Sequence, residues 1–283
     1  DNDDTQDEEE FSNPEVYTEE EMEAVEGHIE QYFGKFENVF HELVSTDIHV
    51  DICVVPPSAE RDYYTLVTMG MGAHRMNVPE ELAECKLERA ELAIALPKDW
   101  KIKKENFEDE KWYWPIRLLK TLARLPIVSD TWLGFGHTMD HEENFAENTK
   151  LCAAILAGSQ GTEDGSEVCI LPNGEEVNFY QVIPLYRDEL EYKLSNDADA
   201  LLDKMDGISF VVNPNRQDAI TRGTMGSVED GDGIDEMDDA VWHLETIQEK
   251  NLPVDEINAY NHMAIYLRWC MEHDLMSVEF MER

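Results

Sequence analysis

The chain has 283 residues, 42% of them hydrophobic and 9% aromatic, which is material for one large domain or two modest ones and too much for global disorder. Its 63 Asp and Glu against 22 Lys and Arg give a formal net charge of −41, a balance that repels phosphate backbones and anionic lipid and argues against nucleic-acid and membrane-surface roles. The same charge favours basic partners and speeds their capture, although solubility or a salt-adapted proteome gives the same composition.

No uncharged run reaches the roughly 18 apolar residues of a membrane span, and no basic segment followed by an apolar one opens the sequence, so secretion is not indicated. The five cysteines, Cys53, Cys85, Cys152, Cys169 and Cys270, are scattered and contain no C-x-x-C pair. They read as reduced, mostly buried thiols, and the expected compartment is cytoplasmic.

The first thirty residues hold fourteen acids and no Lys or Arg. Residues 1–17 read as an acidic tail. Thr18-Glu19-Glu20-Glu21 reads as a capping box, followed by Met22, Val25, Ile29 and Phe33 at helical spacing, with Gly34 where a C-cap belongs. Ile48, Val50, Ile52 and Val54 alternate with Asp47, His49, Asp51 and Cys53, which predicts a half-buried strand stopped by Pro56-Pro57. Tyr63 to Met69 pairs with it as a hairpin, and Glu91 to Leu96 is another buried strand ended by Pro97.

A helix is predicted from Pro115 to Leu125, with Pro115 in its first turn, a Leu118, Leu119, Leu122, Leu125 stripe, and Pro126 as its stop. Trp112-Tyr113-Trp114 precedes it, as core or as a recognition surface. Strands are expected at Leu151 to Ala157, Val168 to Leu171, Val177 to Ile183 and Ile208 to Val212, and short helices at Leu185 to Leu194 and Ala198 to Met205. Clustered strands without regular βαβ alternation imply an α+β fold with a mixed, largely antiparallel sheet and flanking helices, over residues 18–222. Residues 223–239 carry seven acids between Glu229 and Asp239 and read as an acidic linker; its D-x-D-G flavour misses the calcium-loop spacing. Residues 240–283 read as a helical hairpin, striped by Val241, Leu244 and Ile247, then Ile257, Tyr260, Ala264 and Leu267.

Gly136-His137-Thr138-Met139-Asp140-His141 is the candidate site. Two histidines four apart on a helix share a metal with Asp140 or Glu142 as third ligand, the basis of a metal-dependent hydrolase reading. Thr138 stands where the zinc-protease pattern needs its Glu, and Gly134 and Gly136 favour a loop, so no metal or cofactor is expected. His49 and Asp51 share a strand face near His41, without an evident third ligand. Gly70-Met71-Gly72 lacks the third glycine of a dinucleotide loop. No nucleophile elbow or Walker loop is present, and the chain is read as a non-enzyme.

Several stretches in order resemble the bacterial suppressor-of-fused-like domain family: Asp47 to Pro57, Arg61 to Gly72, Glu88 to Trp100, Trp114 to Pro126, Trp132 to Thr138 and Val182 to Leu190, within about residues 30–215. The end of the chain, Ala264 to Cys270, looks like a small module of bacterial immunity-type proteins. The resemblance implies a non-catalytic binding protein. The animal protein sequesters a transcription factor as an extended peptide between two lobes, and this chain has no equivalent of the full second lobe. Bacterial members resemble immunity proteins of polymorphic toxin systems. The expectation is therefore an immunity protein that neutralises a cognate, basic toxin, plausibly a nuclease whose phosphate cleft an acidic inhibitor fills. The alternative is a regulatory module that sequesters a host protein. The expected contact surface is Gly136, His137, Thr138, Asp140, Glu142 and Glu143, with Glu229 to Asp239 as a second acidic rim.

Overall fold

The computed structural model describes residues 14–42 and 47–224. The chain divides into two units, Asp1–Val228 and Glu229–Arg283, and the described residues belong to the first. The expected linker from residue 225 on and the expected helical hairpin lie outside them.

Helix α1 (Glu19–Tyr32) starts where the sequence places it. Thr18 accepts from the Glu21 N–H and the Glu21 carboxylate accepts from the Thr18 N–H, a complete capping box. At the other end the Phe33 and Gly34 N–H groups both reach the Ile29 carbonyl. Gly34 adopts φ 117°, and a Cβ there would lie 2.9 Å from Val55. The last turn has no basic residue of its own; Arg61, from the turn that follows Pro56-Pro57, caps the Tyr32 and Phe33 carbonyls instead. Residues 14–17, expected in the acidic tail, are part of the fold: Glu15 bridges to Ile48, and Tyr17 is 4% exposed.

Strands β1 (Asn38–Phe40), β2 (Asp51–Val55), β3 (Tyr63–Met69), β4 (Ala90–Pro97), β5 (Thr138–Asp140), β6 (Ala153–Ala157), β7 (Val168–Ile170) and β8 (Glu176–Leu185) form one mixed sheet. Its order is β1-β2-β3-β4-β8-β6-β5, with β7 also on β8. Among the strand pairs of the described residues only β4 and β8 run parallel, and the other six are antiparallel. Pro184 falls beyond the stretch of β8 that pairs with β4, so its missing N–H breaks no ladder on that side.

Helices cover both faces, and this corrects the half-buried reading of β2, all five of whose residues are buried. One face packs Ile52, Leu66, Leu92, Ile94, Leu96 and Val182 against helix α2 (Glu110–Val128). The other packs Cys53, Val67, Val177 and Phe179 against α1, and Ile155, Ile183 and Leu185 against helices α3 (Arg187–Ser195), α4 (Ala198–Lys204) and α5 (Ala219–Thr224). Fully burying side chains such as Val25, Ile29 and Phe33 is worth about 1.5–3 kcal/mol each, which fixes α1 to the sheet.

Two sequence expectations fail here. Helix α2 begins at Glu110, capped by Asp109, and not at Pro115; Pro126 does not stop it either. Each proline removes one helical N–H, but burial of Trp114, Ile116, Leu118, Leu119, Leu122 and Ala123 outweighs that loss. The helix stops at Ser129, where Asp130 turns to φ 45° and Thr131 N–H returns to the Pro126 carbonyl. Residues Ile208 to Val212, expected as a strand, make only one bridge, Ala95 to Val211. Both edge strands β1 and β5 are three residues long, too short to show periodicity.

Glu91 ties the N-terminal segment to the sheet. Its buried carboxylate accepts from the Tyr17 hydroxyl (2.7 Å), the Thr68 hydroxyl (2.5 Å) and the Gly70 and Gly72 N–H groups (2.9 and 3.1 Å). Burial pushes its pKa up, and these four donors oppose that. The Gly70-Met71-Gly72 turn is therefore a structural nest for a carboxylate.

Candidate protein-binding site

The Trp132 to Thr138 loop hooks onto β6: Gly136 N–H reaches the Leu156 carbonyl, and Leu156 N–H returns to the His137 carbonyl. Gly136 has φ 78°, and a Cβ there would meet Ala198 of α4 at 2.8 Å. The His137 ring packs edge-on against Trp132 with centroids 4.3 Å apart, and burial lowers its pKa. Thr138 opens β5, opposite Ile155.

Asp140 ends β5 in a bidentate pair with Arg187 at 2.6 and 2.9 Å. The guanidinium holds this carboxyl below the usual range. Arg187 also donates to the Glu142 carbonyl, and Glu142 N–H bonds Asp140 Oδ1, so Glu142 is pinned at φ 66°. Asp140 is thus engaged within the fold. Glu142 and Glu143 are exposed.

His137 and His141 do not converge. Between them the chain is a strand and not a helix, which removes the geometry that the hydrolase reading requires. His141 hydrogen-bonds the Glu143 carbonyl (2.9 Å) and Arg117 (3.1 Å), while His137 packs on Trp132. Among the described residues no three His, Cys, Asp or Glu are grouped to hold a metal ion. His41 and His49 instead flank the nearly buried Asp51, at 2.8 and 3.0 Å, and Glu42 N–H adds a third contact at 3.0 Å.

Glu143 opens onto a groove of about 1030 Å³ between the start of α2 and the loop after β5. Glu108, Asp109, Glu110 and Lys111 form one wall, and residues 143–148 form the other. The wall is anchored from beneath. Phe145 stacks on the fully buried Trp114 with centroids 5.0 Å apart and ring planes 3° from parallel, and Trp114 in turn packs against Trp100. The aromatic run before the expected helix start is therefore helical, with Trp114 in the core. Five carboxylates face one lysine in this groove. Asp109 pairs with Lys111 and Glu110 with Arg117, while Glu108, Glu143 and Glu147 have no ion-pair partner among the described residues.

Four of the five cysteines lie in described residues, all with free thiols; Cys53, Cys152 and Cys169 are buried. Burial pushes the Cys169 thiol up to about 11 and Cys53 further, so neither is an activated nucleophile. No helix among the described residues is long and apolar enough to cross a membrane.

The sequence missed Arg117, Arg187 and the α2 side of the groove. Arg187 is 47 residues from Asp140, and Arg117 is 24 from His141, beyond any local pattern.

The suppressor of fused protein family model matches residues 46–217, and a domain of unknown function (DUF7832) matches residues 236–283. No curated protein matches the chain. Among solved structures, the chain is similar to a suppressor-of-fused homologue from Neisseria gonorrhoeae FA 1090, with 16% identity, a TM-score of 0.52, and coverage of 70% of this chain and 96% of that one. It is also similar to a chain of the Sufu–Fu complex, with 16% identity, a TM-score of 0.51, and coverage of 77% and 99%. These two likenesses support the fold; the family model, matched over more than half of the sequence, supports membership. The chain belongs to the suppressor of fused family.

Proposed function

We propose that this protein is a non-catalytic immunity protein that captures a basic toxin domain and blocks it, with the acidic groove between α2 and residues 143–148 as the contact. The observation that carries the reading is the set of uncompensated carboxylates, Glu108, Glu143 and Glu147, on a rigidly anchored groove in a member of this family. A solved relative is itself part of a protein complex, Sufu–Fu. Gly136, His137 and Thr138 set the position of β5 and the loop that follows, and Asp140 and Glu142 shape that loop through Arg187. Glu143 is the member of the expected contact set that reaches the groove.

Long-range attraction between this acidic surface and a basic partner sets the association rate, and a packed centre sets dissociation. The test is co-expression with a basic toxin domain, chosen from the coding sequences that flank the gene. Growth rescue by the wild type, weakened by Glu108→Gln, Glu143→Gln and Glu147→Gln together, supports the proposal; full rescue by the triple variant removes the groove. Asp140 is left intact because its loss unpairs Arg187 and disturbs the loop whatever the partner does.

A further inference from the structure

Arg117 of α2 links the two walls of the acidic groove, bonding Glu110 of one and the Phe145 carbonyl of the other. Its Nε and Nη2 donate to Glu110 Oε2 at 3.1 and 2.9 Å. Nη2 also donates to the Phe145 carbonyl at 2.9 Å, and Nη1 meets His141 Nε2 at 3.1 Å. A guanidinium has only hydrogens to offer, so His141 Nε2 accepts. The Glu143 carbonyl, 2.9 Å from His141 Nδ1, only accepts, so Nδ1 carries the hydrogen. Together the two contacts require a neutral imidazole in the Nδ1–H tautomer.

We propose that His141 and Arg117 form a proton-sensitive strut that sets the shape of the groove. Protonation of His141 places a second N–H and a positive charge against the guanidinium, breaks their contact, and loosens the Glu143–Phe145 wall, which the Phe145–Trp114 stack and the Arg117–Phe145 carbonyl bond still hold to α2. The inference rests on the reading of the groove as the partner site and adds its regulation. Three other groups face the pair. Asp140 sits beside His141 but is occupied by Arg187; Glu110 holds Arg117 from the side away from the imidazole; the Phe145 ring lies 5.2 Å from the His141 ring. The two carboxylates favour a cation nearby, but neither accepts from Nε2, which faces Arg117. A donor–donor clash at contact distance decides the geometry. Histidine is the side chain suited to a proton-driven contact of this kind.

The test uses the free full-length chain. Long-range ¹⁵N spectra of the histidines report the His141 tautomer, and hydrogen exchange, corrected for intrinsic rates, reports the Phe145 N–H, which bonds the Leu151 carbonyl at 2.9 Å. The expected result is the Nδ1–H tautomer near pH 7.5 and a fall in Phe145 protection on the order of tenfold near pH 5.5. His141→Gln keeps an acceptor for Arg117 and does not titrate, so its Phe145 protection stays constant across the same range. An Nε2–H tautomer at the higher pH, constant protection in the wild type, or an equal fall in His141→Gln overturns the proposal. Neither readout involves a partner, so the strut fails or stands separately from the binding role of the groove.

Discussion

Replacing Arg216 by Met isolates one buried charge pair, and the structure fixes what it costs. Arg216 makes a bidentate pair with Glu189 of α3; the two side chains are 9% and 0% exposed. The guanidinium also donates to the Pro184 carbonyl on β8 and lies over the Tyr186 ring at 4.8 Å. Methionine keeps the apolar stem and removes the charge, leaving a carboxylate with no solvent and only two donors, the Tyr186 and Ala219 N–H groups, each at 2.8 Å. A buried pair broken on one side costs about 3–5 kcal/mol, and the two remaining donors favour the lower end. Replacing Glu189 by Met as well removes the stranded charge and leaves those two N–H groups without an acceptor, at about 1 kcal/mol each. The double variant is therefore expected to recover part of the loss. Urea unfolding followed by far-UV circular dichroism, with an unchanged m value, reads both variants. A single variant within about 1 kcal/mol of wild type, or a double variant no more stable than the single, refutes the assignment of Glu189 as a charge that only Arg216 compensates.

Gly70→Ala is expected to destabilise the fold by at least about 3 kcal/mol in the same assay, because φ is 125° and a Cβ would lie 2.0 Å from the His49 carbonyl oxygen, which is backbone and cannot yield. His28 is buried between Tyr32 and Phe179 with Nε2 on the Ser166 carbonyl, and burial lowers its pKa. The folded state then binds fewer protons than the unfolded one, so its contribution is fully present above the unfolded value near 6.5 and is lost as pH falls from there through the lowered folded value. His28→Gln should show a shallower drop in urea midpoint between about pH 7.5 and about pH 5.5, and an identical drop removes His28 as a source of the pH dependence.

Local signals in the sequence are legible where local chemistry decides structure. Thr18 and Glu21 close their capping box, Gly34 takes the left-handed turn, and the hairpin of β2 and β3 forms around its polar turn. The failures trace to tertiary packing. Alternation in Ile48 to Val54 suggested one wet face, yet α1 covers Cys53, and two histidines and a backbone N–H satisfy Asp51. Pro115 looked like a helix start because propensity favours proline in the first turn; Asp109 supplies the cap six residues earlier, and Trp114 supplies the burial that holds the intervening turn. The glycines before His137 mark the loop that the structure shows, but β5 is hidden in three residues. The site was half legible. Glu143 could be found from its motif, whereas the arginines that organise its surroundings come from elements far away in the chain.

The net charge of −41 means different things at different carboxylates. Arginines are few, and many are engaged in ion pairs within the fold: Arg89 holds Glu21 and Glu175, Arg124 holds Glu42 and Asp47, Arg187 holds Asp140 at the surface, and Arg216 holds the buried Glu189. Many acids have no ion-pair partner among the described residues, and two sets of equal size can be compared: Glu108, Glu143 and Glu147 in the groove, and Glu19, Glu23 and Glu30 on the exposed side of α1. This permits a test at constant charge. Neutralising either set to Gln changes the net charge by three, and it touches no ion pair among the described residues. If the acidity serves only solubility or generic attraction, both triple variants lose equal affinity for a basic partner such as an octalysine peptide, and both losses shrink together as salt rises. If the groove is the contact, its triple variant loses on the order of tenfold and the α1 variant loses little at physiological salt, where screening over about 8 Å separates near charges from distant ones. Equal losses from the two sets refute the groove as a specific site, because only position distinguishes them.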